Sequence, residues 1–318
     1  MSTSVESAAY TGEIVDSHHH LWDLGRGHYP WLQDEYDPGR FFLGTYETLR
    51  RNYLPADYRR DTHGYRVAAT VHIEAERSRK QQVEETAWIE HINKLDNIPT
   101  AIVAHVFFTQ PDRDEILAAH AHSPLMRGVR SKPVVAESAR HSVKGQPGTM
   151  QDVKWLTGLA TLEGYGWSWD ARVPYWHLGE LADTVRQFPY ILVALNHAGL
   201  PLDRSEEGLK QWRSGLHAVA SNRQVTLKLS EFGLGYGRWD EDVIQSIVRD
   251  CVAIFGFDRV MFGSNLPVSS LSASFDRIVR TTIAALPLAS AAELHGLFAG
   301  NARRFYRIDA YAGAAALS

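Results

Sequence analysis

The sequence predicts an α/β protein, a single-domain (β/α)8 TIM barrel. Eight short apolar segments recur along the chain, and most of them are separated by segments with helical periodicity. Short apolar strands that alternate with amphipathic helices indicate a parallel sheet, and eight such units close most simply into a barrel. A doubly wound α/β fold is the alternative, but no glycine-rich phosphate-binding loop follows the first strand.

The composition is typical of an ordinary globular enzyme. Of the 318 residues, 44% are hydrophobic and 22% are charged, and no linker or charge block divides the chain. Lys and Arg number 33 against 37 Asp and Glu without a long basic run, so we do not expect a nucleic-acid partner. The only cysteine, Cys251, excludes an internal disulfide and is consistent with a reducing compartment. Without a signal peptide or membrane span, the chain is predicted to be a cytoplasmic enzyme for a small molecule, and its oligomeric state stays open.

The first strand begins at Ile14 and Val15 and runs into three consecutive histidines. Side chains two apart in a strand share a face, so His18 and His20 are predicted to point together while His19 points away. Two imidazoles at the end of a strand suit a metal or a polar substrate. An affinity tag is the alternative, but tags lie in polar linkers, whereas this triplet lies between an apolar strand and Leu-Trp-Asp.

The region after the first strand, residues 25–61, is irregular and rich in turn residues and aromatics. A loop of this length in a compact domain is usually functional or disordered, and its aromatic content favours a packed lid over the pocket. The domain prediction is therefore a barrel over residues 14–308 with this insertion, a flexible N-terminal tail over 1–13 and a C-terminal tail over 309–318.

The regular elements follow in order. After the first strand at 14–17, strands are predicted at 67–73, 101–108, 126–135, 166–173, 190–196, 225–229 and 260–263. Helical periodicity is clearest at 80–95, 111–121, 177–188, 206–220 and 241–255. A last helix is predicted within 298–306, with Asn301 as its N-cap.

Polar side chains follow almost every predicted strand. A parallel barrel carries its chemistry at the C-terminal ends of its strands. In chain order, the residues at these ends are His18, His20, His72, Glu74, His105, Arg130, Lys132, Trp169, Asp170, Arg172, Asn196, His197, Lys228, Ser230, Glu231, Ser264 and Asn265. So many polar groups at comparable places predict an active site at this end of the barrel.

The charged residues of this set have two interpretations each. Arg130 and Lys132 are predicted to bind a substrate carboxylate, because guanidinium and ammonium groups pair with carboxylates, but a salt bridge at the barrel mouth is the alternative. Lys228 points into the barrel or toward the helices, as a structural pair or a substrate-binding cation. Asp170 and Glu231 are candidate general bases.

The neutral candidates are one histidine and several tryptophans. His197 ends an apolar run and precedes Ala-Gly; together with His18 and His20 it favours a site role over a backbone-bonded histidine. Trp22, Trp31 and Trp169, together with Trp167, are predicted to line the pocket, although most such aromatics belong to the core.

Six motifs carry a resemblance to a known family. They are Val-Asp-Ser-His-His-His-Leu-Trp-Asp at 15–23, Tyr-Pro-Trp-Leu at 29–32, Leu-Asn-His-Ala-Gly at 195–199, Lys-Leu-Ser at 228–230, Met-Phe-Gly-Ser-Asn-Leu-Pro-Val at 261–268 and Gly-Asn-Ala-Arg-Arg-Phe-Tyr at 300–306. Together they resemble the amidohydrolase superfamily, in its amidohydrolase-related branch of lactonases and decarboxylases. The resemblance implies a distorted (β/α)8 barrel. It also implies hydrolysis of a small lactone, such as a sugar-acid or muconolactone-like cyclic ester.

The resemblance also implies roles for particular residues. His18, His20 and His197 match residues that polarise the carbonyl or hold one divalent metal, for which zinc is the first expectation, although some relatives work without metal. The family has an aspartate that activates water where this chain has Asn265, and asparagine is not a base near neutral pH.

Three outcomes follow from Asn265. Three histidines suffice to bind zinc, whose bound water ionises near pH ~7 without a carboxylate. Alternatively, the site is metal-free and Asp170 or Glu231 takes the proton. In the third outcome hydrolysis is lost, which leaves a decarboxylase, an isomerase or a ligand-binding protein.

Overall fold

The computed structural model describes residues 10–34 and 36–308, which form a nearly closed parallel barrel. Its strands are β1 (Glu13–His19), β2 (Arg66–Ile73), β3 (Ala101–His105), β4 (Met126–Arg130), β5 (Ser168–Ala171), β6 (Val193–Leu195), β7 (Val225–Leu229) and β8 (Val260–Phe262). Each strand pairs in parallel with the next along the chain. A parallel bridge between His19 and Leu266 brings the segment after β8 back to β1. The predicted (β/α)8 barrel is therefore confirmed.

Helices connect the strands around the barrel. They are α1 (Pro30–Gln33), α2 (Pro55–Asp61), α3 (Gln82–Asp96), α4 (Arg113–His120), α5 (Val153–Tyr165), α6 (Leu178–Gln187), α7 (Glu206–Ala220), α8 (Glu241–Phe255), α9 (Phe275–Ala284), α10 (Ala291–His295) and α11 (Asn301–Tyr306). The helices predicted at 206–220 and 241–255 have the observed bounds. No helix in the described part of the chain is long and apolar enough to cross a membrane.

The strands are buried on both faces, which explains why they read as continuous apolar runs rather than as alternating patterns. One apolar cluster joins strand residues such as Val15, Val71 and Val103 to Tyr306 of the C-terminal helix. A larger cluster extends from the strands to the helices and to the 25–61 segment. The C-terminal helix is thus part of the barrel core.

A buried carboxylate ties β1 to the end of β8. Asp16 accepts hydrogen bonds from the Ser264 backbone nitrogen at 2.8 Å, from Ser264 Oγ at 2.5 Å and from the Tyr58 hydroxyl at 2.8 Å. Burial still raises the pKa of Asp16, against the opposing effect of these donors. Ser264 is thus used in closing the barrel.

The prediction for Asn301 as an N-cap is wrong. The helix α11 continues directly from a wider turn at Gly296–Gly300, and Gly300 precedes it without a side-chain cap. Asn301 has helical backbone and its Nδ2 donates to the carbonyls of Phe257 and Val260, both at 2.6 Å. The residue therefore fastens the last helix to β8.

The predicted tails lie mostly outside the described part of the chain. Residues 1–9 and 309–318, which make up most of the two predicted tails, lie outside the described residues. Within the described part of the predicted N-terminal tail, Tyr10 stacks on Phe298 at 4.5 Å and β1 starts at Glu13.

Candidate active site

A cavity of about 520 Å³ lies at the C-terminal ends of the strands. Its wall includes the strand-end residues His20, His105, Arg130, Lys132, Arg172, His197 and Asn265, and the residues Pro30, Trp31, Arg40, Phe41 and Phe42 from the 25–61 segment. The segment therefore contributes to the cavity that we predicted it to cover.

Two histidines of the cavity wall, His20 and His197, lie beside the fully buried His18. The ring of His18 lies 5.2 Å from that of His20 and 4.6 Å from that of His197, measured between centroids. His19 instead packs 4.6 Å from the ring of Tyr58. The alternation expected for a strand thus separates His19 from its two neighbours.

All three imidazoles are neutral at pH 7. Burial lowers the pKa of His18 and of His197 well below the usual value, and nearby cations lower both further. The pKa of His20 falls to about 3, first because of burial and then because of Arg130. Neutral imidazoles donate or accept hydrogen bonds or bind metals, but they do not act as acids here.

The partners of His20 restrict its single ring proton. Its Nδ1 lies 2.7 Å from the carbonyl oxygen of Ile73, and its Nε2 lies 3.1 Å from Asn265 Oδ1. Both partner atoms are acceptors, and a neutral imidazole carries only one N–H. His20 therefore satisfies one of the two at a time.

The other two histidines have free nitrogens. His197 Nδ1 lies 2.9 Å from Ser230 Oγ, which leaves Nε2 for a ligand. Neither ring nitrogen of His18 has a hydrogen-bond partner among the described residues. Buried polar atoms without partners are rare in native proteins, so these nitrogens indicate a place for a polar ligand.

Three consecutive strands end in a left-handed residue that carries a polar side chain toward this floor. The φ angles are 57° at His197 after β6, 51° at Glu231 after β7 and 54° at Asn265 after β8. Left-handed backbone costs a non-glycine residue energy and clusters at functional sites. The strained positions are therefore His197 and Asn265, which line the cavity, and Glu231, which lies behind its wall.

Glu231 lies behind the wall of the cavity. Its Oε2 accepts hydrogen bonds from Asn265 Nδ2 and, at 3.3 Å, from Ser269 Oγ. Its Oε1 is buried without a partner in the described chain. Burial raises the pKa of this carboxyl to about 7, against the opposing effect of Asn265. A carboxyl with this pKa exchanges a proton readily at neutral pH.

Asp170, the other candidate base, is surrounded by donors. Its Oδ1 accepts from Lys228 Nζ at 2.5 Å, from the Tyr306 hydroxyl at 3.0 Å and from Asn196 Nδ2 at 3.1 Å. Lys228 Nζ also donates to the Ser17 carbonyl at 2.8 Å. Neither Asp170 nor Lys228 lies on the cavity wall. This geometry corresponds to the structural ion pair that was one of the two interpretations of Lys228.

Arg130 and Lys132 lie on the cavity wall but have carboxylate partners. Arg130 Nε donates to Glu74 Oε1 at 2.5 Å, and its Nη2 donates to the Glu74 carbonyl at 2.6 Å. Although burial opposes ionisation, Arg130 holds the pKa of Glu74 down at about 2. Lys132 forms an ion pair with Glu76. Both residues therefore match the alternative interpretation, a salt bridge at the barrel mouth.

Arg172, immediately after β5, is a cation of the cavity wall without a carboxylate partner. It is half-buried, and no hydrogen bond or ion pair joins its side chain to any described residue. Its guanidinium lies 5.5 Å from the ring centroid of Phe42. Burial lowers its pKa to about 10, so it stays charged at pH 7. The sequence placed Arg172 at a strand end but gave no reason to choose it over Arg130.

The predicted tryptophans divide between cavity and core. Trp31 lines the cavity and its indole nitrogen donates to the Ala75 carbonyl at 2.9 Å. Trp22 and Trp169 are fully buried and donate to the carbonyls of Arg51 at 2.6 Å and Ser131 at 3.1 Å. Trp167 is likewise part of the core. Only Trp31 of these four lies on the wall.

Comparison with known proteins shows the family of the chain. A family model described as amidohydrolase matches residues 15–308. The chain belongs to the amidohydrolase family. An uncharacterised protein of Sinorhizobium fredii is 30% identical over 93% of this chain and 98% of its own length. An L-fucono-1,5-lactonase of Burkholderia multivorans is 27% identical over 92% and 96% of the two chains.

A solved structure extends the comparison to three dimensions. It is an amidohydrolase of Burkholderia multivorans with bound zinc, which has a TM-score of 0.75 and 25% identity and covers 93% of this chain and 99% of its own. The zinc belongs to that protein. It makes the predicted three-histidine metal site of the present amidohydrolase worth testing against the geometry.

Two features of the described residues disfavour a bound metal in the present amidohydrolase. Over residues 10–34 and 36–308, no three His, Cys, Asp or Glu side chains are grouped so that they could hold an ion. His18, His20 and His197 supply suitable neutral nitrogens, but the cations Lys228 and Arg130 lie close enough to lower the pKa of His18. A second positive charge among these groups is unfavourable. The zinc site stays a prediction.

Proposed function

We propose that this amidohydrolase hydrolyses a lactone by the attack of water on the ring carbonyl, without a metal in the reaction. The observation that carries the proposal is a connected set of groups at the cavity floor. Neutral His20 and His197 line the cavity together with Asn265, and Asn265 donates to Glu231, a carboxyl directly behind the wall whose pKa is about 7. The similarity to an L-fucono-1,5-lactonase supports the same reaction class. Hydrolysis of an ester needs a base for water and donors for the oxyanion, and this floor offers both.

His197 is the proposed oxyanion donor. The Ser230 hydroxyl lies 2.9 Å from Nδ1, and we assign it as the donor, which leaves the ring proton on Nε2. An Nε2–H group directed at the lactone carbonyl stabilises the negative charge that develops as water attacks. Because the pKa of His197 is held well below its usual value, the ring gives a hydrogen bond rather than a proton.

Glu231 is the proposed general base. As the water oxygen bonds to the carbonyl carbon, Glu231 takes one water proton on the unpartnered Oε1. When the tetrahedral intermediate collapses, the bond from the carbonyl carbon to the ring oxygen breaks, and Glu231 returns the proton to that oxygen. The product is an open-chain hydroxy acid, and the catalyst is restored. Asp170 is a weaker choice because Lys228, Tyr306 and Asn196 already donate to it.

Asn265 is proposed to position these groups. It lies on the cavity wall, its Nδ2 donates to Glu231, and its Oδ1 faces His20. An amide supplies both a donor and an acceptor but does not carry the proton. Asparagine in place of an aspartate is thus compatible with hydrolysis if the base comes from the neighbouring strand.

The direct test is a panel of five- and six-membered sugar lactones and unsaturated lactones, with proton release followed by a pH indicator. We expect ring opening of at least one class, and an approximately 10²- to 10⁴-fold loss in Glu231→Gln, the usual contribution of a general base. Release of CO₂ from a carboxylic acid without ring opening would instead favour the decarboxylase alternative. Tight binding of a small acid without turnover of any lactone would favour the ligand-binding alternative.

A further inference from the structure

We propose that Arg172 binds a carboxylate of the substrate, so that the preferred substrate is a lactone that already carries a free carboxylate outside the ring. This inference rests on the proposed function and deepens it. The anion-binding role is thus assigned to the residue directly after β5 and not to Arg130 at the end of β4.

The first support is the pairing of the other buried and half-buried cations of the wall, since Arg40 and Arg79 are exposed. Arg130 is held by Glu74, and Lys132 by Glu76. Arg77 donates to Gln81 Oε1 at 3.2 Å and to the Arg26 carbonyl at 2.8 Å. These groups have protein acceptors, whereas Arg172 has none among the described residues. A half-buried guanidinium on a cavity wall that has no protein acceptor remains available to an anionic ligand.

The second support is the charge of the cavity wall. Its charged residues, the histidines apart, are the cations Arg40, Arg77, Arg79, Arg130, Lys132 and Arg172 and the acid Glu76. Glu74 and Glu231 lie behind this wall, and the pKa of Glu231 is about 7, so it is partly neutral at pH 7. The excess of positive charge favours an anionic occupant.

The third support is the position of Arg172 relative to the reacting groups. After burial, Arg172 is the largest electrostatic cause of the low pKa of His197, and its charge also lowers the pKa of Glu231. Phe42 of the 25–61 segment faces the guanidinium at 5.5 Å. A carboxylate held by Arg172 would therefore lie beside the proposed oxyanion donor and beneath an aromatic ring that excludes water. A planar guanidinium binds a carboxylate through two parallel hydrogen bonds.

The test uses a matched pair of substrates, γ-butyrolactone with a free carboxylate on its γ-carbon and the methyl ester of the same acid. Ring opening is measured separately for each. We expect the wild-type enzyme to prefer the free acid, and Arg172→Met to lose roughly 10- to 150-fold in kcat/KM on the acid, the range for a lost charge-assisted contact, with a much smaller loss on the ester. Arg172→Lys keeps the positive charge but cannot form two parallel hydrogen bonds. Its kcat/KM on the acid should therefore lie between those of the wild type and Arg172→Met.

The control is Arg249→Met, which removes an exposed arginine from the outside of α8 and should leave the acid-to-ester ratio unchanged. Calorimetry with α-hydroxyglutarate, the ring-opened product, and with its uncharged diamide separates the two proposals. Binding of the diacid that Arg172→Met abolishes would support the anion site even if no lactone is opened. Equal losses on acid and ester in Arg172→Met, or no preference of the wild-type protein for the diacid over the diamide, would overturn the role of Arg172 and leave the lactonase proposal standing on its own assay.

Discussion

Asn265 donates a hydrogen bond from its side-chain amide to the Glu231 carboxylate, and both residues have left-handed backbone at the ends of adjacent strands. The contact joins the residue that stands in place of an expected aspartate to the carboxyl proposed as the base. It places the two side chains in one unit, so a change in either alters the other.

A carboxylate in place of Asn265 should disturb the proposed base rather than replace it. In Asn265→Asp the new charge faces Glu231 and raises its pKa further, because like charges disfavour ionisation. We expect the rising limb of kcat/KM to move to higher pH without a large gain in maximal rate. Asn265→Ala should lose rate modestly, as a positioning group would. The measurement is the pH dependence of lactone opening.

A gain of a hundredfold or more in Asn265→Asp, equivalent to about 2.7 kcal/mol of barrier, would contradict this account. Such a gain would mean that the natural protein lacks a base for hydrolysis. Its reaction would then belong to another class.

We expect Arg130 to contribute mainly to folding stability rather than to substrate binding. Arg130→Met leaves the buried Glu74 carboxylate without its guanidinium, and removal of one partner of a buried pair costs about 3–5 kcal/mol. The free energy of unfolding in urea measures this cost. The double variant Arg130→Met with Glu74→Gln should recover part of it, because no charge is then left unpaired. A stable Arg130→Met single variant that selectively loses carboxylate-bearing lactones would restore the anchoring role predicted from sequence.

Stability should depend on pH through two buried carboxyls. Burial raises the pKa of both Glu231 and Glu85 to about 7, so each is protonated in the folded state where the unfolded chain, with its usual value of 4.5, has ionised. Their contribution to stability is present below pH 4.5 and is lost as the pH rises toward about 7. Glu231→Gln should make the free energy of unfolding depend less steeply on pH. The slope should fall by up to one proton, which is about 1.4 kcal/mol per pH unit. Unfolding at a series of pH values measures it, and an unchanged slope would show that Glu231 ionises normally.

Activity should not depend on a metal. The proposed steps use only side chains, and His18, His20 and His197 are not grouped as a metal site. Elemental analysis of the purified protein and an assay after exhaustive chelation measure this. We expect full activity in the chelated enzyme. One equivalent of zinc, with activity lost on chelation and restored by zinc alone, would instead confirm the three-histidine site predicted from sequence.

The sequence predicted the barrel because strand order and helical periodicity are local properties of the chain. The same logic located His18, His20 and His197, since the two-residue period of a strand and the C-terminal ends of parallel strands fix where such side chains meet. Ion pairs between residues that are distant in sequence cannot be predicted in this way. Glu74 and Arg130 are distant in sequence, as are Asp170 and Lys228, and no pattern reveals that each pair neutralises itself.

That difference explains why the sequence favoured Arg130 over Arg172 and did not decide between Asp170 and Glu231. A charge at a strand end looks the same in sequence whether a partner reaches it or not. The left-handed backbone at Glu231 and Asn265 is also invisible, because neither residue is glycine and no local turn motif demands it. Only the folded structure shows that Arg172 has no carboxylate partner and that Glu231 keeps one oxygen unpartnered.

The most direct test of the central claim is the pH dependence of kcat/KM for lactone opening in wild-type protein and in Glu231→Gln. The account predicts that the wild-type rate rises with pH through an apparent pKa near 7, as the buried Glu231 ionises. Glu231→Gln should lose roughly 10²- to 10⁴-fold and its remaining activity should lack that limb. A Glu231→Gln enzyme that keeps both its rate and a limb near pH ~7 would contradict the account, because another group would then be the base.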